Sequence, residues 1–151
     1  MDHSRYSFRR LEPAETGIIK ELFSSVFCGD PWYDDWSDPV QLDLYIKDLT
    51  GQNYSLSYGL FEGDELICLS LGHVKHWYSG TEYFIDEYCV RTDRQGRGLG
   101  SHFMSEIEED LRKMDLHCIY LQTERDFPAF DFYVKNGFSV VEETVALYKT
   151  F

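Results

Sequence analysis

The run Gln95-Gly96-Arg97-Gly98-Leu99-Gly100 follows a strand-like segment ending at Val90 and opens onto an amphipathic helix. Three glycines at a strand-to-helix junction let a bulky ligand approach the backbone without meeting Cβ atoms. The helix N-terminus adds unpaired amide N–H groups and the positive end of the helix dipole. This combination is an anion cradle suited to a phosphate, with Arg97 as a charge-assisted donor. The candidate ligand-binding residues are therefore Gln95, Gly96, Arg97, Gly98, Leu99, Gly100 and Ser101. Spacing excludes two common phosphate binders: the dinucleotide turn needs G-x-G-x-x-G, and the nucleotide-hydrolysing loop needs G-x-x-x-x-G-K-[ST]. Here the glycines fall at 96, 98 and 100, and no Lys-Ser/Thr pair follows.

The pattern on either side of this loop sets the fold. Tyr6 to Leu11 reads as a short strand, and Pro13 followed by Ile18, Ile19, Leu22, Phe23, Val26 and Phe27 reads as an amphipathic helix ending near Cys28-Gly29. An acidic and aromatic loop, GDPWYDDWSD, ends at Asp38, which can cap a second helix with Pro39 at its first position. That helix carries Val40, Leu44, Ile46 and Leu49 to a stop at Gly51. Strands are predicted over 54–61, 66–77 and 82–90 as an antiparallel meander. A helix over 98–114 with Phe103, Met104, Ile107 and Leu111 on one face follows, then a buried strand over 117–123. A short helix over 127–136 with Gly137 at its end and two closing strands, 138–141 and 145–150, complete the order. The expectation is one domain over 1–151. Its class is an α/β fold with a mixed, mostly antiparallel central sheet flanked by about four helices.

Composition narrows the partners. Twenty-seven acidic against fourteen basic side chains give a formal charge of −13, which repels nucleic acid and attracts cations. With 43% hydrophobic residues the chain has a core's worth of apolar side chains and no run long enough for a membrane span. MDHSRYSFRR carries no apolar stretch and no cleavage site, so a cytoplasmic protein without a membrane partner is expected. Cys28, Cys68, Cys89 and Cys118 show no CxxC spacing and read as buried reduced thiols, with Cys89 as a minor nucleophile candidate. His73, His76, His102 and His117 show no ligand spacing, so no metal is expected.

Two motifs bring a family into view. Gln95-x-x-Gly98-x-Gly100 after the strand ending at Val90 resembles motif A of the GNAT acetyltransferases, Gln/Arg-x-x-Gly-x-Gly/Ala. Phe132-Tyr133-Val134-Lys135-Asn136-Gly137-Phe138 is similar to that family's late motif, in the right order and with a helix and a strand between the two. The resemblance implies acetyl-CoA as cosubstrate, its pyrophosphate held on the loop amides. It also implies that the strand before the loop splays from its neighbour, so that amides near Tyr88, Cys89 and Val90 bind the pantetheine and polarise the acetyl carbonyl. Tyr133 would be the general acid. Asp126 stands where many relatives carry an Asn.

Acyl transfer to an amine also needs a base. Asp86 and Glu87 are adjacent on a predicted strand, where alternation puts them on opposite faces, so one alone reaches the cleft. Glu87 ranks slightly above Asp86. The loop carrying Trp32, Tyr33, Asp34 and Asp35 combines aromatic faces with carboxylates and suits an ammonium group. The reading is an N-acetyltransferase that passes the acetyl group by direct attack in a ternary complex to a primary amine of a small-molecule, cationic acceptor; the alternatives are a protein or peptide acceptor and a non-catalytic acyl-CoA sensor, and a homodimer is a candidate assembly.

Overall fold

The computed structural model describes residues 2–151. Its frame is a five-stranded sheet in the order β1-β2-β3-β4-β5: β1 (Tyr6–Arg10), β2 (Ser55–Glu62), β3 (Glu65–Trp77), β4 (Gly80–Val90) and β5 (Ile119–Leu121). The first four pair antiparallel and β5 joins β4 in parallel, so the sheet is mixed and open. Four helices cover its faces: α1 (Thr16–Phe27), α2 (Pro39–Thr50), α3 (Leu99–Lys113) and α4 (Pro128–Lys135).

The sheet separates two apolar clusters. On one face Leu99, Phe103, Met104, Ile107 and Leu111 of α3 pack on Tyr58, Leu60, Tyr83 and Ile85, with Tyr133 of α4 joining them. On the other, Ile19, Leu22, Phe23, Val26 and Phe27 of α1 and Ile46 of α2 pack on Leu69, Leu71 and Cys89. The stripes on α1 and α3 match their sequence periodicity, except that Ile18 is exposed. Pro13 lies in a turn ahead of α1 rather than in its first turn. For α2 the expected face is corrected. Asp38 does cap it, accepting from Val40 N (2.9 Å) and Gln41 N (3.2 Å), but Val40 and Leu44 are exposed. Leu42, Tyr45, Ile46 and Leu49 face the sheet, the i, i+3, i+4, i+7 set that starts two residues later.

One irregularity in the meander, between β3 and β4, shapes the candidate site. Leu71 pairs with Glu87 while the next residue, Gly72, pairs with Ile85, so Asp86 is an extra residue in β4, a β-bulge. Gly72 makes this geometry possible: a Cβ there would lie 2.5 Å from Phe84 O and 2.6 Å from the Tyr83 ring. Gly72→Ala is therefore expected to destabilise the fold by about 1–3 kcal/mol, read by chemical denaturation. Unchanged stability would mean that the bulge relaxes freely.

Two further expectations fail. Cys28 and Cys118 are exposed, leaving Cys68 and Cys89 as the buried thiols, and all four are free. The closing strands do not form: residues 139–151 are exposed throughout, with a turn at Glu142-Glu143 and no strand. Among the described residues no helix is long and apolar enough to cross a membrane.

Candidate active site

The glycine loop lies where the sequence places it, between β4 and α3, with a single 3-10 turn (Thr92–Arg94) in between. Gly96 and Gly98 both have φ 75°, a left-handed conformation that side-chain-bearing residues adopt only with strain. Gly98 is the N-cap of α3 and offers no side-chain cap, and no acidic residue sits in the first turn, so the helix dipole is uncompensated there. Arg91 and Arg94 are tied to acidic neighbours, Arg91 to Glu65 at 3.1 Å and Arg94 to Glu62 at 2.9 Å. Arg97 and Ser101 are exposed at the loop and helix start.

Other loop residues serve the scaffold. Gln95 Nε2 donates to Val90 O (3.0 Å), holding the end of β4. The Leu99 side chain is in the core. Gly100 is small for Phe132, since a Cβ there would lie 3.0 Å from that ring. Tyr88 Oη donates to Gly100 O (2.6 Å), joining β4 to α3, and Cys89 is buried toward α1, where desolvation pushes its thiol well up. That keeps Cys89 protonated and removes the thiolate a nucleophile needs.

Beyond Ile85, β4 has no β5 partner, because the parallel ladder covers Tyr83–Ile85 against Ile119–Leu121 alone. The strands part at the bulge, and the amides of the Tyr88 to Val90 stretch that point away from β3 are left without a strand to bond. Tyr133 approaches this opening from α4. The end of α4 is a Schellman motif, with Phe138 N donating to Tyr133 O (3.0 Å) and Gly137 N to Val134 O (3.1 Å), Gly137 having φ 92°. The Phe138 ring packs on Tyr133 at 5.4 Å, and Tyr88 and Phe132 pack on its other sides. The Asn-Gly-Phe of the late motif thus aims Tyr133. Burial pushes the Tyr133 phenol up, with Cys89 and Glu87 adding to the effect, so it stays protonated at neutral pH.

The bulge overturns the expectation for the two carboxylates. Tyr83 and Ile85 face α3 and α4, whereas Cys89 faces α1 and α2, so alternation slips by one residue between them. Asp86 and Glu87 therefore face the same side. Tyr45 Oη of α2 donates to Glu87 Oε1 (2.5 Å), and Asp86 Oδ2 meets His73 Nδ1 at 2.9 Å. Burial pushes the Glu87 carboxyl up to about 7 against the pull of the Tyr45 hydrogen bond, with repulsion from Asp34 and Asp86 adding to the rise.

Asp34 is the member of the acidic loop whose charge is felt at Glu87 and Tyr45. Asp35 instead accepts from Ser37 N (3.0 Å) within its own loop, and Tyr33 is exposed with φ 51°. Trp32 packs edge-on against Phe27 at 5.0 Å and against Phe127, the N-cap of α4, at 6.3 Å. Trp36 stacks on Tyr45 at 5.0 Å, and its buried indole N–H has no protein partner.

The model of the Acetyltransferase (GNAT) family matches residues 19–138. The chain belongs to this family. It is an acetyltransferase, and its fold is that of solved relatives. An aminoglycoside acetyltransferase from an uncultured soil metagenomic sample, solved with sisomicin, superposes with TM-score 0.74 at 18% identity over 97% of each chain. AAC(6')-Iy with the bisubstrate analogue CoA-S-monomethyl-acetylneamine gives 0.75 at 13% over 98% of this chain and 99% of that one. A ribosomal-protein-alanine N-acetyltransferase from Brucella melitensis biovar Abortus 2308 gives 0.76 at 11% over 97% and 99%. No curated protein matches the sequence.

In this acetyltransferase Tyr45 is absent from the site expected from the sequence, His73 was set aside there for want of ligand spacing, and Trp36 belongs to the aromatic and acidic loop without having been singled out. Tyr45 carried a usable signal, since it sits on the i, i+3, i+4, i+7 face of α2 that begins at Leu42. His73 carried none, because its partner Asp86 is brought to it by the bulge.

Proposed function

We propose that this GNAT domain, taken over residues 1–151, transfers the acetyl group of acetyl-CoA to a primary amine of a small, multiply cationic molecule. The observation that carries this reading is that Glu87 bonded to Tyr45 and Asp86 bonded to His73 lie on one side of β4, with Trp36 stacked on Tyr45 and the charge of Asp34 felt at Glu87. Carboxylates over aromatic faces favour ammonium groups. Two aminoglycoside acetyltransferases among the structural neighbours support the same acceptor class.

The cradle fits a pyrophosphate: two left-handed glycines, an uncapped helix start and an exposed Arg97 are what an anion needs there. Bound acetyl-CoA supplies an activated acyl group and a thiolate leaving group. Amides of the Tyr88 to Val90 stretch would orient the acetyl carbonyl. Glu87, poised near neutrality, would take the proton of the incoming ammonium, and Asp34 and Asp86 would draw that ammonium in. Tyr133, held protonated, would return a proton at the sulfur.

Release of free coenzyme A thiol with a panel of aminoglycosides, polyamines, amino acids and short peptides tests the reading. Release with multiply cationic small amines is expected, and release with an alanine-initiated peptide alone would shift it to a protein acceptor. Gly98→Val should weaken acetyl-CoA binding at least tenfold, about 1.4 kcal/mol, by forcing a β-branched residue to φ 75° at the cradle. Binding at wild-type strength in the folded variant, measured by calorimetry, would mean that the phosphates lie elsewhere.

A further inference from the structure

Asp86 is the bulged residue of β4, and a bulge re-aims a side chain without deciding where that side chain comes to rest. Here His73 of β3 decides it. Asp86 Oδ2 meets His73 Nδ1 at 2.9 Å, and both side chains are part-buried. The imidazole is itself held on two sides, stacked on Phe84 at 5.0 Å and edge-on to Tyr54 at 5.7 Å. Val74 N donates to Tyr54 O (2.9 Å), which ties β3 next to His73 to the residue that packs on the ring. In a neutral imidazole the nitrogen facing a carboxylate is the one that carries the proton, so Nδ1 donates to Asp86. Asp86 Oδ1 has no protein partner among the described residues, and Glu87 is arranged alike, with Oε1 held by Tyr45 and Oε2 left over. Two neighbouring carboxylates thus each have one oxygen anchored, one to β3 and one to α2, and one oxygen open to an N–H donor.

Given an acceptor with several ammonium groups, as proposed above, we infer that His73 is a positioning residue. By fixing Asp86 it makes this carboxylate the seat of the acceptor's second, non-reacting ammonium, and so sets the preference for amines that carry more than one charge. The charge of Asp86 is felt at both Glu87 and Tyr45, so the two carboxylates serve one cluster. They divide the work by their surroundings. Burial brings the titration of Glu87 near neutrality, which suits the exchange of a proton better than lasting attachment to a cation. Asp86 attracts the incoming amine at a distance, and once held in one place it also binds a neighbouring ammonium at short range. A carboxylate free to rotate would lose rotamer freedom when it took that ammonium, and the imidazole removes this loss beforehand. The acceptor is then gripped by one nitrogen at Asp86 while the other gives its proton to Glu87 and attacks.

Putrescine and n-butylamine differ by one ammonium group and are the acceptor probes, with release of coenzyme A thiol as the readout on the full chain. The wild type is expected to favour the diamine by about tenfold or more in kcat/KM, the scale of one hydrogen bond to a charged group. His73→Ala should bring that ratio to within about threefold of unity through a higher KM for the diamine, with kcat changed less than about threefold. His73→Phe keeps a ring against Phe84 but has no donor, and should behave like His73→Ala. His73→Asn places an amide N–H close to where Nδ1 stands and should restore most of the preference. Independently of any acceptor, the nitrogen-15 resonances of the His73 ring should show the proton on Nδ1 in the wild type and lose that signature in Asp86→Ala. An unchanged ratio in His73→Ala, a full ratio in His73→Phe, or a proton on Nε2 in the wild type would overturn the inference. So would a loss of kcat that His73→Asn leaves unrestored, which would make His73 a proton acceptor in its own right. Equal kcat/KM for the two amines in the wild type would overturn it while leaving acetyl transfer to small amines intact, whereas thiol release with peptides alone would remove the proposed acceptor class and this role of His73 with it.

Discussion

Glu87→Gln is expected to lower kcat/KM at pH 8 by roughly 10²-fold or more, the scale on which a positioned general base contributes. It should also abolish a pH limb. If Glu87 is the base, as proposed, wild-type activity should rise with pH through about 7, because a carboxyl acts as a base in its ionised form and burial has moved its titration there. Tyr45→Phe removes the hydrogen bond that favours the ionised carboxylate and should shift the same limb to higher pH while retaining most activity at its plateau. The stability consequence has a definite sign. A carboxyl raised from 4.5 in the unfolded chain to about 7 in the fold contributes stability that is complete below about 4.5 and lost as pH rises to about 7. Glu87→Gln should therefore melt increasingly above the wild type between pH 5 and pH 8, the difference growing by up to about 3 kcal/mol. An unaltered pH profile in the variant would remove Glu87 as the base.

The same strand explains what could and could not be read from the sequence. The helix after the glycines was legible, because Phe103, Met104, Ile107 and Leu111 repeat with one period and all four are buried. So was the cap at Asp38-Pro39, a local device that needs no distant partner. The left-handed turns at Gly96 and Gly98 were legible for the same reason, since glycine permits that backbone wherever the chain later packs. The bulge at Asp86 is a relation between two strands. Nothing in Ile85-Asp86-Glu87 by itself says that Gly72 will pair with Ile85 and skip a residue, so alternation put the two carboxylates on opposite faces. Residues 139–151 fail differently. Their β-branched and aromatic content led to the expectation of two strands, but composition alone supplies no partner edge, and 139–151 pair with none of the five strands.

Tyr133→Phe isolates the proton from the ring. Phe keeps every ring contact that fixes Tyr133, with Tyr88 at 6.1 Å, Phe132 at 5.3 Å and Phe138 at 5.4 Å, so the end of α4 and the β4–β5 opening should be unchanged. What disappears is the hydroxyl alone. Turnover should fall by roughly 10²-fold or more, while acetyl-CoA affinity by calorimetry stays at the wild-type value, because the cradle is built from Gly96, Gly98 and the start of α3. This is the mirror of Gly98→Val, which should lose affinity first. The two variants together separate the role proposed for Tyr133 at the leaving sulfur from the role proposed for the glycine loop in holding its carrier. Wild-type turnover in Tyr133→Phe would reduce Tyr133 to a packing residue, and equal losses of affinity and turnover would place its hydroxyl in ground-state binding instead of proton transfer.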